Sequence, residues 1–163
     1  MTISKELFLA ILSLDSYSRG YGSAVDDGTA TDDSLGVSNV SIGNASVQKN
    51  AETELESGVA KNAGFYAISY TIGSGVEGID AGTTVISYRG TDNFGKYYDG
   101  DRGANDILNG WLGGAGQTTS QTSLALDFYK SVTGKSVFEG AAANTIVTGH
   151  SLGGGLAGLP VLQ

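Results

Sequence analysis

The pentapeptide Gly149-His150-Ser151-Leu152-Gly153 restricts the fold of this chain more than any other feature. It follows Asn144 to Thr148, a short β-branched run of the kind buried in a sheet, and it opens a stretch that reads as a helix. A serine between two glycines at a strand-to-helix junction marks a sharp turn that holds the serine in a strained backbone conformation. The glycines are needed because side chains at those positions collide with neighbouring elements. An ordinary glycine-rich turn is the other reading. A phosphate-binding loop is excluded, because Gly153-Gly154-Gly155 is followed by Leu156 and no lysine lies nearby.

The preceding chain supplies the elements such a turn requires. Ile3, Leu7, Ala10, Ile11 and Leu14 recur at three- and four-residue steps, which predicts a helix with those residues as its apolar face. Ser4 is its expected cap and Gly20 its expected end. A helix is favoured over a secretory leader, because Glu6 sits at the edge of the apolar stretch and no small-x-small site follows it. Residues 20–63 are rich in Gly, Ser, Asp, Asn and Thr and read as irregular surface chain, with short strands or turns within it as the alternative. Phe65 to Ile72 and Thr83 to Tyr88 read as strands of an antiparallel hairpin around a glycine-studded turn, Gly73 to Gly82. Two helices are expected next. Asn105 to Leu112 places Ile107, Leu108, Trp111 and Leu112 on one face, and Ser120 to Val132 is capped by Ser120 and stopped by Gly134. A crossover through helices makes the last strand parallel to its neighbour. The expectation is an α/β fold: one domain over residues 1–163, a mostly parallel, partial sheet and flanking helices.

Composition removes several function classes. Seventeen acidic residues against nine basic ones give a net charge of −8, which opposes binding to nucleic acid or to an anionic membrane surface. No apolar run approaches the roughly 18 residues of a membrane span. With no cysteine and one histidine, thiolate chemistry and any site needing two imidazoles are unavailable. Asp99, Asp101, Asn105 and Asp106 read as a solvated acidic loop and not a calcium site, since Gly103 occupies a ligand position and no closing glutamate follows. No metal or cofactor is expected.

Three stretches together resemble one family. They are Val85-Ile86-Ser87-Tyr88-Arg89-Gly90-Thr91-Asp92, then Asp106-Ile107-Leu108-Asn109-Gly110-Trp111, and Ile146-Val147-Thr148-Gly149-His150-Ser151-Leu152-Gly153-Gly154. Over about residues 64–159 the chain resembles the class 3 (fungal-type) lipases of the α/β-hydrolase superfamily and their bacterial relatives. The resemblance implies a serine ester hydrolase that cleaves acylglycerols, with Ser151 as the acyl-forming nucleophile. It implies an oxyanion hole made by the Leu152 N–H and by Thr91, for which a plain turn residue is the alternative. It also implies a lid within Asp92 to Gly116, carrying Phe94, Tyr97, Tyr98, Ile107, Leu108, Trp111 and Leu112. Ile107 to Leu112 reads equally well as a core helix packed on the sheet.

Such a hydrolase carries an acid and a histidine after the serine, yet Leu152 to Gln163 contains neither. His150 precedes the serine, is expected to point to the opposite side of the turn, and reads as a packing residue. The expectation is therefore the amino-terminal part of a lipase, with its last strand presenting an unpaired edge that self-associates or takes a complementary chain. A catalytically incomplete module that only binds is the alternative function. Secretion is suggested by the family alone.

Overall fold

The computed structural model describes residues 2–20, 41–90 and 119–159. A two-residue strand β1 (Ile3–Ser4) leads into helix α1 (Lys5–Asp15), where the Ser4 side chain accepts the Leu7 N–H and Glu6 lies in the first turn. Both features satisfy a helix N-terminus, which offers unpaired N–H groups and favours negative charge. The cap is the expected residue, but the buried face is not. Phe8 and Leu12 are buried, whereas Leu7 and Leu14 are 56% and 50% exposed. The segment Leu7-Phe8-Leu9-Ala10-Ile11-Leu12 is apolar around most of its circumference, so spacing alone does not choose the stripe. The sheet takes the one bearing Phe8. The helix ends at Asp15, passing into a 3-10 turn, Ser16–Ser18, before Gly20.

Residues 41–62 are ordered structure and not the irregular chain expected of them. Strands β2 (Ser41–Ile42) and β3 (Ala45–Asn50) form a hairpin across Gly43, whose φ of 53° suits a residue without a side chain. Asn50 ends β3 and caps α2 (Ala51–Glu54), its Oδ1 accepting the Glu52 and Thr53 N–H groups. A second one-turn helix, α3 (Val59–Asn62), follows. One-turn helices and a two-residue strand are too short to show a period, which explains the missed assignment.

Strand β4 (Ala67–Ile72) pairs with β6 (Thr84–Tyr88) as the expected antiparallel hairpin. The intervening glycine-rich turn holds β5 (Val76–Glu77), which runs parallel to β1 with Ile3 opposite Val76. Helix α4 (Ser120–Thr133) is capped by Thr119, one residue before the expected Ser120, because Thr119 and Thr122 satisfy each other's backbone N–H groups. Gly134 at φ 71° ends it as expected. A 3-10 turn, Val137–Glu139, precedes β7 (Thr145–Gly149), and α5 (Leu152–Gly158) follows the serine turn.

The five-stranded sheet has the order β2-β3-β4-β6-β7. It is a mixed sheet where a mostly parallel one is expected. The β2–β3, β3–β4 and β4–β6 pairs are antiparallel and only β6–β7 is parallel. The reason lies in the connections. A parallel neighbour needs a long crossover, which in this sheet only the segment through α4 provides, while short hairpin turns reverse the chain.

Helices flank both faces. Tyr66, Ile68, Tyr70, Ile72 and Val85 face α1 together with Phe8 and Leu12. Phe65, Ala67, Ile86 and Tyr88 face α4 and α5 together with Leu124, Ala125, Phe128 and Leu156. Alternate residues of β4 and β6 thus serve opposite layers, the arrangement of an α/β sandwich. Hydroxyls fasten the α1 layer: Ser87 Oγ donates to the Leu12 carbonyl at 3.1 Å, and Ser13 Oγ lies 2.9 Å from Thr148 Oγ1. On the other face Tyr88 Oη donates to the Ala125 carbonyl at 3.1 Å. Among the described residues, no helix is long and apolar enough to cross a membrane.

The two leucine stripes of α1 separate in a stability measurement. Leu12→Ala is expected to lower the unfolding free energy by about 2–5 kcal/mol, the cost of an unfilled core cavity. Leu14→Ala is expected to change it by about 0.5 kcal/mol or less. Urea titration monitored by circular dichroism reads both, and equal losses would contradict the observed face.

Candidate active site

The candidate site lies at the carboxyl ends of β6 and β7, which run side by side until Tyr88 meets Gly149. Ligand crevices in open α/β sheets form at such strand ends. After Gly149 the chain turns so sharply that Gly153 N–H reaches the His150 carbonyl at 3.0 Å and Gly154 N–H the Ser151 carbonyl at 3.0 Å. Ser151 sits between them at φ 55°, ψ −126°, outside the regions open to most L-residues, and its side chain is exposed. Such a conformation costs on the order of 1–3 kcal/mol and persists only where surrounding packing imposes it.

That packing is backbone on backbone. A Cβ on Gly153 would run into the Tyr88 carbonyl and the Arg89 carbonyl carbon, and one on Gly149 into the Gly153 carbonyl and the Tyr88 oxygen. The first turn of α5 therefore rests directly on the end of β6, which brings Ser151 and the Arg89-Gly90 segment together. Leu152 is the first residue of α5, so its N–H has no acceptor within the helix, and among the described residues it makes no backbone hydrogen bond. It is the donor available to an anion beside Ser151. Thr91, the other expected donor, lies outside the described residues, as do Phe94, Tyr97, Tyr98, Ile107, Leu108, Trp111 and Leu112 and the acidic loop Asp99 to Asp106. Among the described residues, no group of three His, Asp or Glu is placed to hold a metal ion.

His150 leaves the turn toward α1, where its ring meets that of Tyr17 edge-on at 6.0 Å between centroids. The ring is exposed, so its packing against Tyr17 lies at the surface. Tyr17 itself carries no sequence signal. It lies in the 3-10 turn after α1, more than a hundred residues before the serine, and only the fold brings it to the site. Its hydroxyl accepts the Gly90 N–H at 3.0 Å and lies 3.3 Å from the His150 carbonyl.

A buried charge cluster supports the same corner. Asp15 Oδ2 accepts from Arg19 Nε at 2.5 Å and from Tyr70 Oη at 2.7 Å. Arg89 Nη1 donates to the Arg19 carbonyl at 3.2 Å, and its guanidinium stands 4.6 Å from the centre of the Tyr66 ring. All of these side chains are buried. The i,i+4 spacing of Asp15 and Arg19 is the only part of this cluster visible in sequence.

Burial pushes the Tyr66 hydroxyl up to about 12, with the Arg89 charge acting against it, and burial and Asp15 push Tyr70 well above the usual phenol range. A phenol held neutral in the fold loses its proton first in the unfolded chain. Stability is thus full below about pH 10 and falls as pH rises toward 12. For Tyr66 alone the loss is expected to reach about 2–3 kcal/mol. Alkaline unfolding followed by tyrosinate absorbance checks this, and Tyr66→Phe is expected to shallow the decline.

Gly153→Ala is expected to destabilise the protein by about 1–3 kcal/mol, because the collision is with backbone that cannot rotate away. Thermal unfolding of this variant reads the cost, and an unchanged midpoint would contradict the close approach. No protein-family model, no curated protein and no solved structure matches the chain.

Proposed function

We propose that this chain is a serine ester hydrolase domain of the class 3 lipase type, cleaving acylglycerols through an acyl-enzyme on Ser151. The observation that carries this reading is the conformation of Ser151, a positive-φ serine exposed at a strand-to-helix turn whose glycines are pressed onto the neighbouring strand. Strain of that kind is retained where a side chain must be presented at a fixed point. In this reading Ser151 Oγ bonds to the ester carbonyl carbon, and the carbonyl oxygen becomes an oxyanion received by the N–H groups of Leu152 and Thr91. Collapse expels the alcohol, and water then frees the acid from Ser151. The proton leaving Ser151 needs a base, and residues 152–163 contain no histidine or acid to act in the order the family uses. Turnover by these residues alone is therefore expected to be weak, resting on attack by Ser151 without a base and on oxyanion stabilisation.

One observation favours a second reading, an associating module without turnover. Among the described residues strand β7 ends the sheet order, and all its residues are partly exposed. Beside it, Leu9, Ala10, Ser13 and Leu14 of α1 face Thr148 and His150 across an open groove of about 380 Å³. An unpaired strand next to apolar surface is a template for another strand.

Fluorophosphonate labelling and p-nitrophenyl ester turnover, each compared with Ser151→Ala, separate the two readings. The hydrolase reading expects signal in the wild type that the variant loses. Equal signal in both removes it, and a particle size that grows with concentration on size-exclusion chromatography would then favour association.

A further inference from the structure

We propose that Tyr17 is a positioning residue of the proposed hydrolase site, its hydroxyl acting as a rung that joins β6 to the serine turn beyond the end of their ladder. The inference rests on the hydrolase reading of Ser151. The β6–β7 register ends where Tyr88 faces Gly149. Beyond it, the Gly90 N–H and the His150 carbonyl make no direct bond to each other among the described residues, and the Tyr17 hydroxyl bridges them. It accepts the Gly90 N–H at 3.0 Å and donates to the His150 carbonyl at 3.3 Å. A hydroxyl has one proton and two lone pairs, so it makes both bonds at once. His150 Nδ1, 3.4 Å away, lies within reach of the same oxygen.

The two groups so joined flank the proposed site. Gly90 is bonded to Thr91, one proposed oxyanion donor. The His150 carbonyl belongs to the peptide that enters Ser151, and it also accepts the Gly153 N–H. Fixing both holds the end of β6 against the turn that carries Ser151. Gly90 carries part of the requirement, since a Cβ there would strike the Tyr17 hydroxyl and the His150 carbonyl oxygen. Gly90 is buried, so without the hydroxyl its N–H loses its partner in a place water reaches poorly.

A misplacement of about 1 Å at a reacting centre costs on the order of a hundredfold in rate. Tyr17→Phe keeps the ring and removes the rung. In Ser151-dependent ester turnover it is expected to lower kcat by about 10- to 100-fold with KM changed by about twofold or less, the pattern of an interaction used in the transition state. The wild-type Gly90 amide is expected to exchange hydrogen as slowly as the amides within β6, and to speed up in the variant. A Ser151-dependent kcat unchanged by Tyr17→Phe overturns the positioning role and leaves the hydrolase reading standing. Turnover equal in wild type and Ser151→Ala overturns both. Should the variant not fold, wild-type exchange decides: a Gly90 amide without protection overturns the rung.

Discussion

The carboxyl end of the sheet depends on two stretches of backbone approaching closer than any Cβ allows. Gly149 and Gly153 lie against the Tyr88 and Arg89 main chain, and from that contact follow the sharpness of the turn, the seat of α5 and the positive φ of Ser151. A helix can follow a strand through many loops, but few stack its first turn on the adjacent strand. Here the parallel β6–β7 pair brings both carboxyl ends to one place, and the absent side chains let the turn fold back over them. The strain at Ser151 is local. The packing that sustains it is spread over α5, β6 and β7, which is how a fold keeps one residue in an unfavourable conformation.

Behind this contact the segment from Asp15 to Arg19 works as a fastener. An acid at the end of α1 opposes the helix dipole, so Asp15 is placed there by its partners, Arg19 and Tyr70, and not by helix preference. Tyr70 ties the segment to β4, the Arg19 carbonyl takes Arg89 from the end of β6, and Tyr17 reaches the serine turn. Buried ion pairs of this kind contribute little net stability against apolar residues of equal volume. Their effect is geometric. Each bond has one satisfactory arrangement, and together they hold α1 in one register over the sheet.

Much of this was legible in the sequence, and the failures have physical causes. The β4–β6 hairpin, the parallel β7, the Ser4 cap and the Gly134 stop were readable because each rests on local chemistry: alternation, a side-chain acceptor or a positive φ. The α1 face was misread because apolar residues surround most of that helix, and only the sheet beneath selects Phe8 and Leu12 over Leu7 and Leu14. Residues 41–62 were misread because β2, α2 and α3 are too short to show a period. At the site, the turn and its serine were visible as a motif. Tyr17 and Arg89 were not visible as partners of that turn, since their roles come from sequence separations that no local pattern encodes.

Among the described residues the two edges of the sheet are unlike, and the difference bears on what β7 is for. The far edge is β2, two residues long, and short edge strands give little purchase to another chain. The near edge is β7, Thr-Ile-Val-Thr-Gly, β-branched in four successive positions, with no lysine, no proline and no register shift against β6. Those are the features of an interior strand, buried on both faces and paired on both sides. The apolar groove beside it, with the exposed Leu14 of α1 in its lining, extends the same surface. A strand added parallel at this edge would satisfy the open backbone groups, and side chains brought with it would cover the groove. It would also border the serine turn on the side away from β6. Whatever pairs with β7 would therefore stand beside the turn that carries Ser151.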